Sequence, residues 1–525
     1  VSERIEIPIQ GGDYDGGGRA SRELKERLKR LGVEPAALRR AMVAAYEAEM
    51  NVVIHAARGW LRAELSPGRL EVEVDDQGPG IPDLERALRP GFSTAPARAR
   101  ELGFGAGMGL PNIKKNADAF ELTSEPGRGT RLRFRVDFRT AALDGRAAAA
   151  LGLRPERCTA CRKCLPACPT AALRLHAGAP SLLAHLCIEC TACLAACAAG
   201  VFVAAEELSG EAQGELDLSG VACLVLPAAF TAAFGPRHSP DAVRAVLEGL
   251  GAGRLVWLDD FERALGAALA AWPREARRPV VSPACPAVVE LVRLRFPALL
   301  PQVAPFLSPV EAALRSLAGG PVALVAACPA QRTAARRVSS PGGLRFVPPE
   351  ALRRKVWQAL EAGSAPGALS GRRGEPDAPV EGWLRVTGLT HVRAVLEAVE
   401  DGRVGELAGL EAWACEQGCA GAPWLGCQPH LARFRLRGLV LEGAPEARAV
   451  PRERPLQARP GVRLDPHLPT AMQRLGDIDR LNKRLRGIDC GLCGAPGCAA
   501  FAEDVVLGRA LRAACPYPDR EEAGT

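Results

Sequence analysis

Three rhythms of apolar and polar positions run along this chain. Residues 1–139 mix helical and strand periods. "YEAEMNVVIHA" repeats its apolar positions at helical spacing and sets Glu47 and Asn51 four residues apart, on one face. "RLEVEV" alternates as a half-buried strand does, and "VDDQGPGI" follows it. "GFGAGMGLPNIKK" is a glycine-rich stretch leading into a helix, and "PGRGTRLRFRV" closes on Gly-Thr and a strand. From 220 to about 435 the rhythm changes. The short apolar runs "VACLVLP", "RLVWL", "RPVVSP" and "PVALVAA" alternate with amphipathic stretches, which predicts parallel strands with crossover helices. The third rhythm belongs to cysteine, which recurs in 158–197 as two copies of one pattern.

Between these segments lie joints. "TAALDGRAAAA" is rich in alanine, "LSGEAQGELDLSG" is polar, and residues 443–466 are rich in proline and arginine. The expected fold class is therefore multidomain α/β and α+β. Domains are expected over 1–139, 153–208, 220–435 and 466–525.

Composition narrows the class of protein. The 525 residues are 48% hydrophobic, enough for several cores, and the net charge is +7 with acids and bases interspersed. No basic block dominates, so direct nucleic-acid binding is not expected. No run of 18 or more apolar residues appears, so no membrane span is expected. "VSERIEIPIQ" lacks a signal peptide's apolar core, and a cytoplasmic location is expected. Disulfides are rare there, so the 18 cysteines read as metal ligands rather than crosslinks, with 16 of them falling into ligand-like groups.

The ordered boxes of the first 139 residues resemble the GHKL ATPase superfamily, and within it the short anti-sigma-factor kinases. That resemblance implies ATP and Mg²⁺ as ligands. Asn51 would ligate Mg²⁺, and Asp76 would accept a hydrogen bond from the adenine amino group. Gly78 and Gly80 would let the backbone approach the base. Gly103, Gly105, Gly107 and Gly109 would form a lid whose N–H groups face phosphate, and Thr130 closes the site. Glu47 would be the general base that activates a protein hydroxyl. The bland alternative for Glu47 and Asn51 is a solvated helix face. His55, on the same helix, reads as packing or capping.

"CTACRKCLPACP" has the spacing C-x2-C-x2-C-x3-C-P, and "CIECTACLAACA" repeats it without the proline. This is the pattern of bacterial two-cluster ferredoxins, in which the fourth cysteine of each run serves the other cluster. One [4Fe–4S] cluster would take Cys158, Cys161, Cys164 and Cys197. The other would take Cys187, Cys190, Cys193 and Cys168. Zinc is the alternative for any C-x2-C.

Residues 220–435 resemble the catalytic domain of [FeFe] hydrogenases. In "SPACPAV", Cys285 matches a cube ligand, and Ala284 stands where the family has its proton-passing cysteine. "AACPAQR" keeps Cys328 and puts Gln331 where a lysine contacts the diiron unit. "EAWACEQGC" keeps Glu411, Cys415 and Cys419, with Trp413 for methionine. The resemblance implies a [4Fe–4S] cube on Cys285, Cys328, Cys415 and Cys419, and leaves room for a diiron H-cluster subsite. An alanine methyl carries no proton, so turnover would be slow or absent. The other reading is a cube alone, as in hydrogenase-like iron–sulfur assembly proteins. Cys223 reads as a core residue and Cys427 as a loop thiol.

In the tail, Cys490, Cys493, Cys498 and Cys515 are spaced C-x2-C-x4-C-x16-C. The segment resembles small four-cysteine [4Fe–4S] domains, with zinc as the alternative. Together these readings describe a redox or H₂ sensor with an anti-sigma-type serine/threonine kinase head. Its expected partners are an anti-anti-sigma or sigma-factor-like protein and a redox partner, with a homodimer left open. A nucleotide-regulated catalytic hydrogenase and an iron–sulfur scaffold with an ATPase domain are the competing functions.

Overall fold

The computed structural model describes residues 3–102, 104–139, 151–176, 178–205, 208, 216–235, 237–272, 279–317, 320–338, 342–363, 381–436, 444–459 and 463–520. They divide into two compact units. The first is 1–145 with 458–488 and 501–525; the second is 146–457 with 489–500.

In the first unit the elements are β1 (Glu3–Gln10), α1 (Arg19–Arg30), α2 (Pro35–His55), β2 (Arg58–Ser66), β3 (Arg69–Asp76), α3 (Leu84–Ala87), α4 (Ala97–Glu101), α5 (Gly109–Asn116), β4 (Ala119–Glu125) and β5 (Gly129–Asp137). The five strands form one antiparallel sheet in the order β1-β2-β3-β5-β4. Alternation decides which face is covered. Leu61, Ala63 and Leu65 of β2, Leu70, Val72 and Val74 of β3, and Leu132, Phe134 and Val136 of β5 are buried, while Arg131 and Arg133, on either side of Leu132, are exposed. Helix α2 adds Leu38, Ala41, Ala45, Val52 and Val53 to the buried residues. Each large side chain fully buried this way contributes ~1.5–3 kcal/mol. Glu49, buried on α2, accepts the Ala20 and Ser21 N–H groups at 2.9 Å each, so it caps the start of α1.

The second unit opens with β6 (Leu151–Leu153), α6 (Cys164–Ala167), β7 (Leu173–His176), β8 (Ala179–Leu182), α7 (Ala192–Ala196) and β9 (Phe202–Ala204). Two small hairpin-like sheets, β6-β9 and β7-β8, brace the cysteine loops. There follow β10 (Cys223–Leu226), α8 (Pro240–Glu248), β11 (Arg254–Trp257), α9 (Leu258–Ala270), β12 (Val280–Val281), α10 (Pro286–Arg295), α11 (Pro309–Ser316), β13 (Val322–Leu324), α12 (Pro329–Ala335), β14 (Leu344–Phe346), α13 (Pro349–Glu361), β15 (Trp383–Thr387), α14 (Leu389–Glu400), β16 (Gly409–Trp413) and α15 (Pro429–Leu436). These strands make two parallel sheets, β11-β10-β13-β14 and β12-β16-β15. Parallel strands are covered on both faces, which is why their sequences are continuous apolar runs rather than alternating ones.

Helix α16 (Leu468–Arg484) belongs to the first unit, where Arg27 of α1 pairs with Asp479. Helix α17 (Cys498–Val506) supplies Glu503, 2.7 Å from Arg30. Among the described residues no helix is long and apolar enough to cross a membrane.

Candidate functional site

The first unit gathers the sequence-selected residues at one end of its sheet. Asp76 ends β3, and its Oδ1 accepts the Gly78 N–H at 2.8 Å and the Thr130 N–H at 3.2 Å. Burial pushes this carboxyl up, against the two N–H bonds that hold it down. Gly80 has φ +72°, and a Cβ there would lie 2.2 Å from the Glu125 carbonyl oxygen, so a side chain is excluded twice over. Gly107, at φ +72°, is equally closed: a Cβ would meet the Gly91 carbonyl carbon at 2.4 Å. Gly105 lies in the same loop, and Gly103 falls outside the described residues.

Glu47 and Asn51 meet the end of that loop. A Cβ on Gly109, the first residue of α5, would sit 3.2 Å from Asn51 Oδ1 and 3.4 Å from Glu47 Oε2. One turn along α5, Asn112 donates its Nδ2–H to Glu47 Oε1 at 2.7 Å. The sequence reading missed Asn112, because the partner of a helix residue depends on how two helices pack. His55 is exposed at the last turn of α2.

In the second unit the two cysteine runs share an unusual backbone. Ala160 and Arg162 in one run, and Glu189 and Thr191 in the other, have φ of +53°, +62°, +57° and +65°. They occupy matching places between cysteines, so the sequence repeat is also a repeat of left-handed turns. Each costs about 1–3 kcal/mol in a residue other than glycine. Burial pushes the Cys164 thiol up, and so do the nearby thiols of Cys197, Cys161 and Cys158. Burial likewise raises Cys190, with Cys168, Cys193 and Cys187 adding to it. The two fourth cysteines are thus crossed between the runs. Cys168, Cys187, Cys190 and Cys193 line one small pocket.

A third set lies at the carboxyl ends of the parallel strands. Cys285 follows β12 and precedes α10, Cys328 follows β13 and precedes α12, and Cys415 and Cys419 follow β16. Cys285 and Cys328 therefore stand at helix N-termini, and burial pushes both thiols up. All four line one small pocket, together with Cys190. Burial pushes Cys415 up to about 12, with Cys285 adding to it. Cys419 is raised by burial, by Glu262 and by the other three thiols. A cationic centre would offset the mutual repulsion of four buried thiolates, so this donor set fits an iron–sulfur cube. Among the described residues no group of three or more His, Cys, Asp or Glu is arranged to hold a single metal ion. Thr191 reaches from the ferredoxin-like loop to this third set: its Oγ1 donates to the Cys190 carbonyl at 2.6 Å and lies 3.8 Å from Cys415 Sγ.

Beyond Cys419 opens a larger cavity of about 170 Å³. Ala284, Gln331 and Trp413 line it, as do Asp259, Glu262, Arg385 and Arg433, which the sequence reading did not single out. Glu262 is pushed up to about 8 by burial, then by Asp259 and Glu411. Arg385 grips Glu411 through two bonds of 2.7 and 2.8 Å, and Trp413 Nε1 donates to the same carboxylate at 3.1 Å. The Gln331 amide is also engaged: Oε1 accepts the Ala327 N–H at 2.8 Å and Nε2 donates to Cys419 Sγ at 3.5 Å.

Two cysteines stand apart from these sets. Cys223, in β10, accepts from Arg254 Nε at 3.3 Å. Cys427 lies 3.8 Å from the Ala229 carbonyl oxygen. In the tail loop of this unit, Asp489 at φ +47° accepts the Cys498 N–H at 2.6 Å, and Gly494 O accepts the Leu175 N–H at 2.8 Å.

Three family models match the chain. "Histidine kinase-like ATPase domain" matches residues 17–136, "4Fe-4S dicluster domain" residues 157–202, and "Putative Fe-S cluster" residues 485–517. The serine/threonine-protein kinase RsbT of Bacillus subtilis is 34% identical over 119 residues, 22% of this chain and 84% of that one. An anti-sigma F factor of Caldanaerobacter subterraneus is 36% identical over 92 residues, 17% of this chain and 61% of that one. Among solved structures, [FeFe]-hydrogenase HydA(deltaEFG) matches 45% of this chain and 88% of its own, with TM-score 0.28 and 14% identity. A variant of HydA1 from Chlamydomonas reinhardtii matches 52% and 93%, with TM-score 0.30 and 13% identity.

Proposed function

The chain belongs, through its N-terminal segment, to the family of the serine/threonine-protein kinase RsbT, and on that premise we propose that it is a redox or H₂ sensor with a kinase output. ATP and Mg²⁺ would bind at the Asp76, Thr130 and Asn51 end of the sheet and supply the γ-phosphoryl group. Glu47 takes the proton of a serine or threonine hydroxyl on an anti-anti-sigma-like partner. The hydroxyl oxygen bonds the phosphorus, and ADP leaves. Asn51 holds the metal ion, and the glycine-rich loop covers the phosphates.

The sensing part would be the three cysteine sets of the second unit and the tail set Cys490, Cys493, Cys498 and Cys515. When bound, [4Fe–4S] clusters there store and pass single electrons. The protein's own residues support this role. The left-handed turns at Ala160, Arg162, Glu189 and Thr191 wrap the ferredoxin-like loops, and Cys285 and Cys328 are set at the starts of α10 and α12. One observation carries the reading: the cavity of Cys285, Cys328, Cys415 and Cys419 also includes Cys190, with Thr191 set against Cys415. Two of the proposed cluster sites thus share a wall within one chain that also carries a kinase-like head.

The test is a comparison of redox states. Protein reconstituted anaerobically with iron and sulfide should hydrolyse ATP, or phosphorylate its partner, at different rates when oxidised and when reduced. Equal rates in both states would leave the head and the clusters functionally separate.

The larger cavity opens beside Cys419, where a diiron subsite would sit. Two features favour the cube-only reading instead: the Gln331 amide is bonded to Ala327 and Cys419, and four charged side chains line the space. Infrared bands of CO and cyanide after maturation would establish the diiron unit, and their absence would leave redox state as the signal. A catalytic hydrogenase is disfavoured by Ala284, whose methyl lines the same cavity and carries no proton.

A further inference from the structure

We infer that Gln331 raises the reduction potential of the cube proposed for Cys285, Cys328, Cys415 and Cys419, by donating a hydrogen bond to the Cys419 sulfur. This rests on the cluster reading above.

Gln331 lies in the first turn of α12, three residues after Cys328, and is buried. Its amide could in principle face either way, and its neighbours decide. The Ala327 N–H, 2.8 Å away, can meet only the oxygen. The NH₂ end is therefore the end that faces Cys419 Sγ, at 3.5 Å. One contact fixes the amide, and the second follows from it.

The sulfur it meets is electrostatically crowded. Cys419 shares one pocket with Cys285, Cys328 and Cys415, and Glu262 lines the neighbouring cavity with it. Reducing a cube adds negative charge to this dry pocket. A donor on a ligand sulfur spreads that charge and stabilises the reduced state, and hydrogen bonds to the sulfurs are among the known determinants of cluster potential.

No other common side chain of this size meets both demands. Lysine has donors but no acceptor for the Ala327 N–H. Glutamate can accept from Ala327 but, when ionised, offers the sulfur no proton. Methionine fills the volume with neither strong group.

The experiment is an EPR-monitored redox titration of the full chain, reconstituted anaerobically, as wild type, Gln331→Met and Gln331→Glu. Iron and sulfide are assayed in each. The expected result is that one reduction step shifts to lower potential in both variants while the other steps superimpose. The shift should be larger for Gln331→Glu, which adds a negative charge. A Gln331→Met titration that coincides with wild type at equal iron content would overturn the inference. Should Gln331→Met lose the cube, Gln331→Glu keeps the Ala327 contact and carries the same test with the same overturning result. Cys419→Ala separates this inference from the cluster reading beneath it. Loss of iron and of one reduction step supports that reading; retention of both overturns it, and the Gln331 inference with it.

Discussion

Asn112 donates its side-chain amide to Glu47 across 2.7 Å, joining the helix that follows the glycine-rich loop to the helix that carries the proposed base. The bond fixes which way the Glu47 carboxylate points, while Gly109 sits against its other oxygen. A hydrogen bond to a charged group is worth about 1.5–3 kcal/mol. Asn112→Ala should therefore slow ATP turnover by about tenfold or more and leave nucleotide affinity within about twofold. Steady-state kinetics beside a direct binding titration checks this. An unchanged kcat would mean that the bond serves packing alone.

Asn51 leads to a different loss. It is proposed to offer its side-chain oxygen to Mg²⁺, and Gly109 approaches that oxygen closely. Asn51→Ala should abolish the Mg²⁺ dependence of nucleotide binding and reduce hydrolysis to background. Calorimetry with and without Mg²⁺ reads the effect. Equal affinities for the two proteins at each Mg²⁺ level would refute the assignment.

Much of this architecture could be read from residue order because its signals are local. The alternation of "RLEVEV" places Leu70, Val72 and Val74 on the covered face. The apolar runs "VACLVLP" and "PVALVAA" became β10 and β13, neighbours in a parallel sheet. Contacts set by packing were not legible. Asp259 and Glu262 look like ordinary surface acids on an amphipathic helix, and only the closure of α9 over the cavity brings them near Cys419. Gln331 could be recognised as a departure from lysine, but its bond to Cys419 depends on the Ala327 N–H. That Glu49, two residues from Glu47, caps α1 was likewise not legible, because it depends on how α1 packs against α2.

The tail should hold one cube of its own. Cys490→Ala removes one of its four proposed ligands, and iron in the reconstituted protein should fall by about one quarter, with the ferredoxin-like EPR signals retained. Metal analysis by mass spectrometry distinguishes iron from zinc. Loss of zinc in place of iron would overturn the assignment.

Glu262 gives the protein without clusters a characteristic pH response. Burial, Asp259 and Glu411 push its carboxyl up to about 8 from an ordinary 4.5, against the pull of Arg385 and Arg433. The folded state therefore keeps this proton over a range where the unfolded chain has released it. Because the folded state then binds more protons, stability falls as pH rises from about 4.5 to about 8, and the loss from this group is complete above that range. Glu262→Gln stays neutral throughout and should flatten the fall. Urea midpoints measured at pH 5, 6, 7 and 8 on both proteins test this. Parallel curves would show that the cavity solvates Glu262 well enough to keep its carboxyl in the usual range.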